Sequence, residues 1–444
     1  MGIVQTVLRW SDTKTSFIEK AYVWLLVVVL FGVVLHAPLS VGLGSLWPDA
    51  SLLLKSWKEV VMGVAGVLLV VILTTSKRWP IFKNTVFYLI IGFAAVQLAL
   101  IPLFYNGLEA TLAGILINLR YFLAFTLVFA AIRLFPRAIP LFLATFAAGA
   151  TGFLVFGLLQ VTVLPHDILR HIGYGESTIM PYLTVDQNTD FIRINSTLRG
   201  PNPVGAYAVG ILGVLLAFWL RGPRAVSKRT TGLALCGGIA AAVLVWASYS
   251  RSAALAAIVT VAVMLFVVYG KRMTRGAWAI VGVVALVLVG SLVAVRDTSF
   301  VSTVILHEDP QEAGVVNSND EHVQSLVVGL SRMAQQPFGA GVGSTGSASL
   351  YTHSPIIIEN QYLFIAHEAG WVGLLLFLLI SAAVLILLWR RRREWLCLAA
   401  FATGLGLMAV GMVLPVWVDD TVSILWWSFA GLALASPALR RERR

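Results

Sequence analysis

Cysteine is nearly absent from this chain: there are two in 444 residues, Cys236 and Cys397, both inside apolar runs. That excludes a disulfide framework and a CxxC metal site as organising devices. Charge is scarce as well. Asp, Glu, Lys and Arg make up 12% of the sequence against 59% hydrophobic residues, which lies outside the range of soluble domains. No HExxH or DxD occurs, the seven histidines are dispersed, and Asp419-Asp420 reads as a short-turn pair without partners in sequence. No metal and no other cofactor is therefore expected. No internal repeat with corresponding broken helices is evident, which weighs against a secondary transporter. The first twenty residues carry Asp12 and Glu19 and read as too polar for a cleavable signal peptide. A pI near 9.9 could suggest nucleic acid. The basic residues, however, sit in short clusters between apolar runs, as membrane topology requires, and no nucleic-acid partner is expected.

What is present is hydrocarbon, in lengths that match a bilayer core about 30 Å thick. Apolar runs fall near 20–41, 57–76, 84–105, 111–133, 139–164, 203–220, 231–249, 253–270, 277–295, 369–389, 396–415 and 421–438. Twelve spans put both termini on one side. If that side is the cytoplasm, every Lys and Arg falls in a cytoplasmic segment except Lys55, Lys58, Arg120, Arg170, Arg193, Arg199, Arg251, Arg296 and Arg332. The expected architecture is an all-α integral membrane protein, one polytopic domain over 1–444, with both termini cytoplasmic. Its largest extracytoplasmic loop, 297–366, lies between the ninth and tenth spans, and a second runs from Pro165 to Asn202. Arg120 would sit a turn or more below the outer surface, paired with Glu109 or another acid facing into the bundle.

Three outward clusters could carry chemistry. In Arg193-Ile-Asn-Ser-Thr-Leu-Arg199-Gly-Pro-Asn202-Pro-Val-Gly205, two arginines precede a helix start with Pro203 as its first residue and Asn202 as its cap. Free N–H groups there, with Arg199 beside them, suit an anion such as phosphate. A capped helix with interfacial arginines fits the same residues. Ser248-Tyr249-Ser250-Arg251-Ser252 is a polar hairpin whose arginine opposes the positive-inside bias, so it needs an anion or the headgroups.

The third cluster belongs to the polar interval Arg296–Gly373. There His322 begins a periodic segment, Val323 to Met333, read as an amphipathic helix under the loop. Pro337-Phe-Gly-Ala-Gly341-Val-Gly343 is glycine-rich but lacks P-loop context. Glu359-Asn360 lies where the loop re-enters the membrane; Glu359 suits either a general base or a helix cap favoured by the dipole.

In these clusters the chain resembles the O-antigen ligase/O-antigen polymerase superfamily, polytopic glycosyltransferases that move a glycan from a polyprenyl diphosphate to an acceptor sugar. Arg193 to Gly205 is similar to the family's arginine-rich, Pro-Asn-x-x-Gly helix start, and Ser248 to Ala253 to its Ser-Arg turn. Pro337 to Gly343 is similar to its glycine loop, and Glu359 to Gly373 to its terminal block. The ligases open that block with a histidine proposed to activate the acceptor, where this chain has Glu359; His353 lies six residues upstream. They also carry a loop arginine where this chain has Glu321-His322, with Arg332 or Arg296 as replacements.

The resemblance implies a metal-independent, inverting glycosyltransferase of the bacterial inner membrane, its site facing the periplasm. The donor would be a glycan on undecaprenyl diphosphate, the acceptor a glycan or glycolipid, and membrane lipid a further partner. Arg199 and Arg251, helped by Arg193, would hold the diphosphate. Glu359 would serve as base and His322 as its orienting partner, while Asn202, Asn360, Arg332 and His353 would be further substrate contacts. A polymerase is expected ahead of a ligase; a transporter or flippase of a lipid-linked sugar is the reading from another class.

Overall fold

The structure of the protein is a computed structural model. It describes residues 15–185, 188–223, 227–274 and 318–437, with isolated positions outside those ranges. Eleven of the twelve expected spans coincide with helices; the twelfth, 277–295, lies outside the described residues, as does the loop segment 303–317. Hydrocarbon offers no partner for backbone polar groups, so an apolar run that crosses it closes its own hydrogen bonds as a helix.

Among the described residues, eight helices are long and apolar enough to cross a membrane. They are α1 (Phe17–Leu46), α2 (Pro48–Ser76), α4 (Leu108–Leu134), α5 (Pro136–Thr162), α6 (Pro201–Arg221), α7 (Lys228–Ala247), α8 (Arg251–Arg272) and α11 (Gln361–Arg390). Three shorter apolar helices accompany them: α3 (Thr85–Leu100), α12 (Trp395–Gly411) and α13 (Asp420–Ala435). Among the described residues of the polar loop are two helices, α9 (Ser318–Gln335) and the single turn α10 (Gly346–Ser349). The Pro165–Asn202 loop contains a small antiparallel hairpin, β1 (Leu183–Val185) with β2 (Asn188–Arg193), which pairs Leu183 with Arg193.

Side chains set the helix starts. Ser16 and Glu19 form a reciprocal capping box at α1, and Asn84, Ser227, Ser250, Asn360 and Asp419 each accept from backbone N–H groups of the helix that follows. One expected cap is corrected. The helix read as starting at Pro203 begins two residues earlier, at Pro201, with Gly200 as the cap residue and no side-chain cap. Asn202 lies inside the first turn, where its side-chain oxygen accepts from Arg193 rather than from the helix.

The core is aromatic where α4 meets α13. Trp427 lies edge-on to Phe122 at 4.8 Å and to Phe125 at 5.9 Å, with Tyr121 at 5.7 Å. Two groups of polar cross-helix contacts lie at opposite ends of the bundle. At one end, Asn106 reaches Ala340 and Val342, Asn360 reaches Met412, and Arg193 reaches Ser248. At the other, Arg221 donates to Val267 O and Arg392 O, and Arg391 to Leu434 O and Ser436 O. The segments expected on one membrane face thus touch one another, and arginines at the opposite end close the last carbonyls of neighbouring helices.

The expected span 369–389 is the second part of a longer helix broken at Gly370 (φ 65°, ψ −170°). Into the break fits the glycine loop. Trp371 N donates to Pro337 O at 2.9 Å and Ala340 N to His367 O at 2.6 Å. Glu368, fully buried, receives Gly343 N at 2.9 Å and Thr345 N at 3.4 Å on one oxygen, and Asn118 Nδ2 of α4 at 2.5 Å on the other. A Cβ on Gly343 (φ 82°) would stand 2.1 Å from Ala110 O. The loop is therefore a structural strap between α4 and α11, in line with its lack of P-loop context.

Gly370→Ala should test this packing. An alanine Cβ would meet Pro337 O at 2.5 Å and Phe338 C at 2.6 Å. The backbone conformation alone costs about 1–3 kcal/mol for a non-glycine residue. Thermal unfolding of the detergent-solubilised variant should show a loss at least that large; an unchanged midpoint would contradict the strap.

Candidate functional site

Two of the arginine-bearing turns are joined. Arg193 Nε donates to Ser248 O at 2.9 Å, and its Nη2 to Asn202 Oδ1 at 2.6 Å, so one planar fork ties the hairpin end to the start of α6 and to the α7–α8 turn. Close helix approach reinforces the junction: a Cβ on Gly205 would meet Ala253 Cβ at 2.5 Å and Ser248 Oγ at 2.7 Å. Within the turn, Ser248, Ser250 and Ser252 are buried, Tyr249 adopts φ 45°, and Arg251 is exposed. The hydroxyls serve the turn itself: Ser250 Oγ caps α8 by accepting from Ala253 N and lies 3.1 Å from Ser252 Oγ.

Arg199 is exposed, and behind it lies an ionic cluster that sequence reasoning missed. Lys58, 2% exposed, places Nζ 3.0 Å from Asp420 Oδ2, 3.3 Å from Glu59 Oε2 and 2.8 Å from Lys55 O. His36 Nε2 is 3.2 Å from the same Asp420 oxygen, while its Nδ1 accepts from Trp57 Nε1 at 3.1 Å. The same Nε2 also lies 3.2 Å from Lys58 Nζ. Arg120 Nη1 lies 3.5 Å from Glu59 Oε1, and its Nη2 donates to Val418 O. The acid facing Arg120 is therefore Glu59; Glu109 is exposed at the start of α4.

Asp419-Asp420, read from sequence as a pair without partners, thus anchors α1, α2 and α13 together. Arg199 stands close enough for its charge to act on His36, Asp419, Asp420 and Tyr174. Burial, and then the charge of Asp420, pushes the Asp419 carboxyl up to about 6, against the cap bond to Val422 N and the two arginines. Burial also raises the Tyr174 phenol, with Arg199 pulling the other way.

Glu359 and His322 meet. His322 Nδ1 is 2.5 Å from Glu359 Oε2, and both side chains are partly open to solvent. Glu359 N donates to Ser325 Oγ at 2.8 Å, pinning α9 over the start of α11. The amide of Asn360 is committed to the protein: Oδ1 caps Tyr362 N and Leu363 N, and Nδ2 donates to Met412 O at 2.7 Å. Arg332, in the last turn of α9, acts electrostatically on buried His367, while His353 is exposed on the loop after α10.

The loop after α12 connects these two regions. Met412 O accepts from Asn360, Trp417 N donates to Gln361 Oε1 at 2.9 Å, Val418 O accepts from Arg120, and Asp419 lies near Arg199. Among the described residues no three His, Cys, Asp or Glu side chains converge as metal ligands. A paired carboxylate and imidazole on one side of this loop, with guanidinium groups on the other, can in principle take a proton from a hydroxyl and steady a polyanionic leaving group.

Compared with known families, residues 239–378 match one described as O-Antigen ligase. The helices describe a multi-pass helical membrane protein, and over this stretch it is similar to the O-antigen ligase/polymerase type. The matched stretch, which runs from α7 through the Arg251 turn to the broken helix α11, is similar to the O-antigen ligase family. Arg251, His322, Arg332, His353, Glu359 and Asn360 lie inside it; Arg193, Arg199 and Asn202 lie before it. No curated protein matches the chain.

Two substitutions probe the ionic cluster. Lys58→Met leaves Asp420 buried without its main cation and should cost about 3–5 kcal/mol; pairing it with Asp420→Asn should recover most of that loss in a double-mutant cycle of thermal stability. Asp419→Asn tests the raised carboxyl. Its folded value, about 6, exceeds the ordinary 3.8, so its ionised form disfavours folding and stability falls as pH rises through that window. Relative to the variant, the wild type should gain on the order of 1–2 kcal/mol as pH drops from about 7 to about 4. A pH-independent difference would refute the assignment.

Proposed function

We propose that the protein is a metal-independent, inverting glycosyltransferase that transfers a glycan from undecaprenyl diphosphate to an acceptor sugar hydroxyl at the periplasmic face of a bacterial inner membrane. The chain crosses twelve times with both termini cytoplasmic. The contact between His322 Nδ1 and Glu359 Oε2, beside the loop whose far end lies near Arg199, carries this reading.

In the reaction, Glu359 takes the proton of the acceptor hydroxyl, with His322 fixing the orientation of its carboxylate. The hydroxyl oxygen attacks the anomeric carbon as the bond from that carbon to the diphosphate oxygen breaks. Undecaprenyl diphosphate leaves with the electron pair, and the configuration inverts. Arg199 and Arg251 receive the growing charge; Arg193 holds the two turns at a common spacing. Guanidinium pairs so placed perform the neutralisation that Mg²⁺ performs elsewhere. The polar loop shields the donor from water.

Glu359 at the position of the ligase histidine favours a polymerase, whose acceptor is another lipid-linked glycan. The family description favours the second reading, a ligase acting on lipid A-core. Purified protein with undecaprenyl-diphosphate-linked oligosaccharide and no added metal should release undecaprenyl diphosphate. Lengthened glycan with the donor alone marks a polymerase; product only when lipid A-core is added marks a ligase. Glu359→Gln should lower kcat by about 10²–10⁴, and Arg251→Ala by about 10²–10³. Full turnover by Glu359→Gln would remove the base assignment. Movement of the lipid-linked sugar without release of undecaprenyl diphosphate would replace the enzyme by a transporter.

A further inference from the structure

At the end of the bundle opposite the glycine loop, α6 and α7 leave between them a groove of 780 Å³. Its walls are hydrocarbon, supplied by Leu212, Leu216, Leu235 and Ile239 among others. Gly238 faces its open part: a Cβ there would meet nothing within 4 Å. The mouth is different. Arg221 and Arg393 form it, and Arg392 and Arg393 stand close enough to repel the Arg221 guanidinium.

Arg221 and Arg392 find carbonyls and a ring, not acids. Arg221 donates to Val267 O and Arg392 O, and Arg392 lies 4.0 Å from the Trp389 ring centre while donating to Trp389 O. Glu394, next in sequence, is held by Arg391 at 2.5 Å. Among the described residues no carboxylate neutralises the mouth. An apolar trough that ends in clustered positive charge, at the level where helix ends meet headgroups, complements an amphiphile with an anionic head.

We propose that this groove is a binding site for an anionic glycerophospholipid, its phosphate on Arg221 and Arg393 and an acyl chain along α6 and α7. The site lies at the opposite end from the arginines assigned to the glycan donor, so it stands or falls independently of the transfer reaction.

Native mass spectrometry of the full chain in detergent tests it, with phosphatidylglycerol and phosphatidylcholine of identical acyl chains as probes and soluble glycerol phosphate as competitor. Wild-type protein should retain phosphatidylglycerol about fivefold better for each guanidinium engaged. Arg393→Gln should cut that preference about fivefold, and Gly238→Phe should lower retention of both lipids by occupying the acyl seat. Both positions are open, and thermal unfolding of each variant checks that the bundle is intact. Equal retention of the two lipids by the wild type, or wild-type retention by Gly238→Phe, would overturn the proposal. Competition by glycerol phosphate as effective as by the whole lipid would reduce the site to an anion patch and overturn it equally.

Discussion

A carboxylate placed among hydrocarbon helices must be surrounded by donors, and the architecture of the glycine-loop end follows from meeting that demand at Glu368. Its three donors come from the loop backbone and from Asn118, a residue 250 positions away. Delivering two loop N–H groups to one oxygen requires the strap to lie flat against α4, and only glycine tolerates the approach at Gly343. The strap in turn fills the break at Gly370. Remove the acid, and the Gly343 and Thr345 N–H groups lose their buried acceptor, leaving the strap to its bonds with Asn106, His367 and Trp371.

The second buried polar assembly follows the same physics with full charges. Lys58, Arg120, Glu59 and Asp420 sum to zero, and His36 closes the set. Lys58 and Arg120 stood out in sequence as cations against the positive-inside bias and Asp419-Asp420 as an acid pair at a short turn; His36 and Glu59 did not stand out. Their association was not legible, because it joins residues from 36 to 420 and no periodicity spans that distance. Arg199 gains its setting from this assembly.

Helices were the most legible feature, since span length is imposed by bilayer thickness and composition reports it directly. The hairpin Leu183–Arg193 escaped notice because its strands are short and lack clean alternation. The start of α6 was misplaced by two residues: Pro201 and Pro203 are both compatible with a first turn, and the choice depends on Arg193 claiming the Asn202 side chain. Of the site residues, His322 and Glu359 are neighbours in space although 37 positions apart in sequence. Asn360 proved to be a cap whose amide is spent on α12, something its position before an apolar run already allowed.

The interruption at Gly370 also bears on how the chain is assembled. The turn holding His367 and Glu368 is too polar to rest in lipid until its donors are in place, yet those donors belong to the fourth helix and to the strap that immediately precedes it. The second part of α11, from Trp371 onward, is apolar and can insert on its own. The two parts of α11 therefore differ in what they need: the spanning part needs only lipid, and the short part before the break needs the donors of α4 and the strap.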